Sequence, residues 1–138
     1  MNAREFLTRP EALRRQIERK RYRIDTLRRL AENAPPPLRE VRVCSSPDPA
    51  RMQALLAEAA DEEQDVRLLE EDLGRVLTEV MLAVSALPEP RLSRVLELRY
   101  LDALPWEEIS LQMNLCQSVV FRLHRRALSL LPLPPGES

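Results

Sequence analysis

Residues 106–130 read WEEISLQMNLCQSVVFRLHRRALSL, and their spacing decides the fold. At helical period the stretch is two short helices with a tight break between them. The first runs from Trp106 to about Met113, and the second from about Gln117 to Leu130. Ile109, Met113, Val120 and Leu123 are the apolar positions that close such a pair at an angle. Ser110 is small where the helices approach most closely. Asn114 sits where the chain needs a positive φ, a conformation that Asn tolerates better than other residues with a Cβ. The expectation is a helix-turn-helix. With Val120 and Leu123 facing inward, the outer face of the second helix carries Gln117, Ser118, Phe121, Arg122, Arg125 and Arg126. No acidic residue occurs between Leu111 and Pro135.

Working outward, residues 91–101 (RLSRVLELRYL) predict a short preceding helix with Leu92, Val95, Leu96 and Leu98 as buried positions. Pro88-Glu89-Pro90 separates it from a much longer helix over residues 49–87. There Met52, Leu55, Ala59, Glu62, Val66, Leu69, Leu73, Val76, Val80, Ala83 and Leu87 keep a 3,4 spacing. Asp48 and Pro49 suit a cap and a first helical position. Gly74 lies off the seam and should weaken the helix by about 1 kcal/mol relative to Ala. Residues 34–47 contain three consecutive prolines and no periodicity, and so read as a linker. Before them, residues 3–33 form a helix whose seam is Leu13, Ile17, Lys20, Ile24, Leu27 and Ala31. Pro10 bends that helix or starts its regular part.

Charge pairs the two long helices. Residues 3–33 hold ten basic side chains against five acidic ones, whereas residues 51–75 hold eight acidic against three basic. An antiparallel register in which position numbers sum to 82 or 83 sets Ile17 by Val66, Ile24 by Ala59 and Leu27 by Leu55. It also sets Lys20 against Glu62, the one charge in each seam. A shift of one heptad would keep the apolar matches and strand both charges. The domain reading is therefore an antiparallel two-helix hairpin over 1–87, a helix-turn-helix domain over 88–131, and a disordered tail over 132–138.

The totals bound the rest. A chain of 138 residues with 31% charged, 44% hydrophobic and 4% aromatic residues and two glycines suits an all-α protein with long amphipathic helices. The net charge of −1 does not advertise a nucleic-acid partner, so that case rests on charge distribution. Two cysteines and one histidine are too few for a zinc finger or a disulfide scaffold. With no signal-like or membrane-spanning run, the expectation is a cytoplasmic protein without membrane contact. His124 has no catalytic neighbours and no phosphate-cradling glycine loop is available, so neither an enzyme, a metal site nor a cofactor is expected.

The run LELRYLDALPWEEIS, with the turn and RLHRRAL after it, resembles region four of bacterial sigma factors. Together with the AREFL start and the SPDPARM helix start, the whole chain is similar to phage and prophage transcriptional regulators of the RinA/ArpU type. The resemblance implies sequence-specific binding of double-stranded DNA and contact with RNA polymerase. Cys116 stands where the family usually has Ser or Thr to cap the recognition helix, and Asn114 where it usually has Gly. Neither departure removes a DNA-reading group. Gln117, Ser118, Phe121 and Arg122 are the base-reading candidates: Gln pairs with adenine, Arg with guanine, and an apolar ring meets a thymine methyl. Arg125, Arg126 and His124, with Arg91, Arg94 and Arg99 from the preceding helix, are the phosphate candidates. Trp106 reads as a core anchor. A homodimer through the N-terminal helices is compatible with this reading. The competing functions are a DNA-packaging protein of the small-terminase kind and a helical assembly adaptor.

Overall fold

The computed structural model describes residues 2–32 and 49–134. These form α1 (Ala3–Ala31), α2 (Pro49–Ser85), α3 (Pro90–Leu96), α4 (Trp106–Met113) and α5 (Gln117–Leu130). α3 runs on into a π-helical turn at Glu97–Leu101. No strand occurs among the described residues. None of the described helices is long and apolar enough to cross a membrane. The proline linker, the Asp48 cap and the last four residues of the tail lie outside the described residues.

Two compact units make up the chain: one is Ala12–Leu73, the other Met1–Glu11 with Gly74–Ser138. In the first, α1 and α2 form the long antiparallel pair, in the expected register. Ile17, Ile24, Leu27, Ala59 and Val66 are buried together, with Leu55, Leu69 and Leu73 packed against them. Lys20 Nζ donates to Glu62 Oε1 at 2.8 Å and lies 3.4 Å from Asp65 Oδ2. The hydrogen bond to Glu62 raises the Lys20 pKa, and the same bond lowers that of Glu62. On one flank Arg23 bridges Glu58 and Glu62 at 2.6 and 2.7 Å. Elsewhere Arg21 meets Glu70 and Arg28 meets Glu63. A step of seven residues up α1 is thus matched by seven down α2, which is one heptad in the antiparallel sense. An open cleft of about 310 Å³ lies over Ile24 and Val66, bordered by Arg21, Arg28, Glu63 and Arg67. Its Arg21 and Arg28 are already paired with carboxylates.

The second unit begins with a helix start that the residues at 2–5 encode. Asn2 Oδ1 accepts from the Glu5 amide at 2.8 Å, and Asn2 Nδ2 donates back to the Glu5 carboxylate at 3.0 Å. Asn2 thus caps the helix through its side-chain oxygen, and the bond to the Glu5 carboxylate holds its amide in place. Pro10 neither starts nor ends the helix; it lies inside α1 and is buried. Phe6, Leu7 and Pro10 share one face and are all buried, so apolar burial offsets the backbone hydrogen bond that proline cannot donate. The boundary expected at residue 87 falls instead at Gly74. Val76, Val80 and Val84 are fully buried in the same unit as α3, α4 and α5. Ser93 Oγ ties α3 to the Val84 carbonyl at 2.9 Å.

Around the two short helices the core is Leu98, Ile109 and Val120, walled by Leu104, Trp106, Met113 and Leu115. The π-helical turn closes through Asp102 N to Glu97 O at 2.9 Å, and Leu104 N to Leu98 O at 3.0 Å follows it. Ala103 then takes a positive φ of 57°, a left-handed conformation that costs an L-residue about 1 kcal/mol or more.

Candidate nucleic-acid interface

α4 ends in a Schellman turn. Leu115 N donates to Ser110 O at 3.1 Å and Asn114 N to Leu111 O at 3.2 Å, the 6→1 and 5→2 bonds of that motif. Asn114 holds φ 58° and ψ 43°, as its position in the sequence demands. The Ser110 hydroxyl donates to the Leu115 carbonyl, so this small residue ties the turn to α4 as well as making room for α5. Extended backbone at Cys116 then opens α5, and its carbonyl accepts from Val119 N and Val120 N at 3.1 Å each. The thiol makes no full-length cap bond to the helix, although the Val119 and Ser118 amides point towards its sulfur. It lies 3.3 Å from Ser118 Oγ, and that contact, followed by the Val119 amide, lowers the Cys116 pKa.

α5 is divided lengthwise. Val120, Leu123, His124 and Ala127 are buried, while Gln117, Ser118, Arg122, Arg125, Arg126 and Ser129 are exposed. At 3.6 residues per turn those exposed positions cover one half of the helix. Phe121 lies within that half, between Gln117 and Arg125, yet is half-buried because its ring turns edge-on to Trp106 at 5.1 Å. Trp106 is the anchor its sequence position suggests. The Arg99 guanidinium lies over it at 4.4 Å, and the His124 ring stands edge-on at 4.8 Å.

His124 overturns one expectation. It is not an exposed phosphate contact: only 6% of it is accessible, and its Nε2 is 2.8 Å from the Tyr100 hydroxyl. Burial, reinforced by the positive charges of Arg4, Arg99 and Arg125, pushes its pKa down to about 4. The ring is therefore neutral at pH 7 and has no charge to offer an anion. The signal was present in the sequence, because Val120, Leu123, His124, Ala127 and Leu131 repeat at 3 and 4 and define a buried stripe. Arg99 is also engaged within the fold. Besides covering Trp106, its Nη1 donates to the Leu104 carbonyl at 3.1 Å. It is half-buried, unlike the exposed Arg91 and Arg94 of α3.

What the geometry assembles, then, is a basic surface on α5 made of Arg122, Arg125 and Arg126, next to Gln117 and Ser118. α3 packs against α5 and contributes Arg91 and Arg94 to the same unit. One acidic side chain intrudes: Glu89, at the start of α3, lies 3.7 Å from Arg126. Removing it should strengthen anion binding. Glu89→Gln is expected to raise duplex-DNA affinity up to about fivefold at low salt, since an exposed ion pair contributes at most about 1 kcal/mol. Fluorescence-anisotropy titration at two salt concentrations measures the change. No family model, no curated protein and no solved structure matches the chain.

Proposed function

We propose that α4 and α5 form a helix-turn-helix and that α5 is its recognition helix, reading sequence in a DNA major groove. One observation carries this reading. The exposed half of α5 presents Gln117, Ser118 and three arginines with no acid on the helix, and it follows a left-handed turn that fixes its angle to α4. Gln117, Ser118 and Arg122 lie towards its N-terminal end, where a recognition helix meets base edges. Phe121 supplies an apolar edge beside them. Arg125, Arg126, Arg91 and Arg94 neutralise phosphates. His124 acts from inside, packing Trp106 and Tyr100 against α5.

The similarity to sigma-factor region four extends the proposal to a transcription regulator of the phage RinA/ArpU type that touches RNA polymerase while bound near a promoter. Footprinting on the DNA flanking the protein's own gene, with and without RNA polymerase, tests it. One protected, promoter-like site supports regulation; uniform, salt-sensitive protection contradicts sequence-specific reading.

The division of roles makes its own prediction. Arg122→Ala should cost about 1–3 kcal/mol on the cognate site and relax preference at one base position. Arg126→Ala should weaken all sequences alike and reduce the salt slope by about one phosphate's worth. Indiscriminate loss in both variants would refute the assignment.

A further inference from the structure

Met1–Glu11 belongs to the same compact unit as α3, α4 and α5, and one arginine in it does nothing for the fold. Phe6, Leu7 and Pro10 anchor the start of α1 by burial. Arg4 lies one turn before Leu7, at the edge of that buried face, and is exposed. Among the described residues its guanidinium forms no ion pair. The neighbouring Glu5 carboxylate instead accepts from Asn2 Nδ2 at 3.0 Å. Arg4 nevertheless lies close to α5 and to the π-helical turn. Of the charged side chains, it bears most strongly on both Tyr100 and His124, ahead of Arg99 and, at His124, of Arg125. Such interactions weaken with distance, and Arg99 itself covers the Trp106 ring that His124 meets edge-on. Tyr100 and His124, joined at 2.8 Å, are thus neutral ground between Arg4, Arg99 and Arg125. No carboxylate is among the charges acting on either ring.

The position costs stability. A cation in the first turn of a helix opposes the macrodipole, and here two like charges lie across the same pair of rings. An arginine that weakens its own fold and meets no internal partner suits an external anion. Arg99 is committed to Trp106 and the Leu104 carbonyl, so the cations open to solvent at this point are Arg4 and Arg125. We propose that Arg4 contacts a DNA phosphate beside Arg125, so that the first turn of α1 and the helix-turn-helix hold one duplex together. The proposal rests on the reading of α5 as a DNA-binding helix. It adds a contact from a helix on which Arg21, Arg23 and Arg28 are taken up by carboxylates of α2. Its ligand is the phosphodiester backbone, so Arg4 contributes affinity without base preference.

Salt titration of binding to a mixed-sequence DNA duplex tests it, with the full chain as wild type, Arg4→Gln, Arg126→Ala and Arg15→Gln. Arg15 is an exposed arginine of α1 in the other unit and controls for net charge. Arg4→Gln and Arg126→Ala should each lower the slope of log affinity against log salt by about 0.9, one phosphate's worth. Arg15→Gln should keep the wild-type slope. Arg4→Gln should also melt no lower than wild type, since it removes an unfavourable charge, and the His124 proton resonance should titrate at a higher pH in it. A wild-type slope in Arg4→Gln, with the slope of Arg126→Ala reduced, would overturn the proposal and leave the reading of α5 intact. Failure of the wild type to bind duplex DNA would overturn both. An Arg15→Gln loss equal to that of Arg4→Gln would reduce the effect to net charge and overturn the proposal. An unmoved His124 midpoint would do the same, by taking Arg4 away from α5.

Discussion

Ile109→Ala should lower the unfolding free energy of the unit containing α3, α4 and α5 by about 2–5 kcal/mol. Ile109 has no accessible surface and sits among Leu98 and Val120, within walls formed by Leu104, Trp106, Met113 and Leu115. Truncation removes three carbons and leaves a void between helices whose separation is already set. The Schellman turn at Asn114 and the Ser110 bond to the Leu115 carbonyl hold α4 and α5 at fixed spacing, so collapse into the void is resisted. Trp106 is the chain's one tryptophan and packs against this cluster, so urea titration followed by its fluorescence reports this unit directly. A loss below about 1 kcal/mol would mean that the pair relaxes freely and that α5 is not rigidly placed.

Acid should unfold the same unit through His124. The unfolded imidazole binds a proton near 6.5, whereas the folded one does so only at about 4. Between those values the unfolded state holds more protons, so stability rises with pH. The contribution is fully present above about pH 6.5, is lost as pH falls, and is gone near pH 4. Its size is up to about 3 kcal/mol at one pKa unit per 1.36 kcal/mol. Glu62 loses its ion-paired contribution in the same acidic direction, from below its ordinary value of 4.5. His124→Gln separates the two by flattening only the limb between about 6.5 and 4. His124 is the single histidine, so one proton resonance gives its midpoint without assignment. Titration near 6.5 would show a solvated ring and return His124 to the exposed face.

The contrast between what could and could not be read from the chain follows from the kind of signal involved. The pairing of α1 with α2 was legible because two heptad seams each carry one charge. Matching Lys20 to Glu62 leaves a single register, and the structure has it. Asn114 was legible because few residues tolerate its backbone conformation. The π-helical turn at Glu97–Leu101 was not. Apolar spacing over five residues does not distinguish i→i+5 from i→i+4 bonding, and the left-handed Ala103 carries no residue signature. The residue type of His124 suggests a polar surface, whereas its position on the stripe from Val120 to Leu131 demands burial. The unit boundary at Gly74 was hidden because the seam of α2 runs through it unbroken. Only the company kept by Phe6, Leu7, Val76, Val80 and Val84 reveals it.

Burial of His124 and engagement of Arg99 narrow the candidate surface. Without His124 and Arg99, the exposed basic side chains reduce to Arg122, Arg125 and Arg126 on α5 and to Arg91 and Arg94 on α3, which packs against it. All five are exposed, and one of them, Arg126, faces Glu89.

Selection from a randomised duplex-DNA library at fixed, near-physiological salt, run in parallel with the wild-type chain and with Arg122→Ala, tests whether α5 reads base sequence. A recognition helix on α5 predicts that the wild type enriches one short motif and that Arg122→Ala enriches the same motif with a single position degenerate. No enrichment by the wild type, or an identical motif with Arg122→Ala, would contradict it.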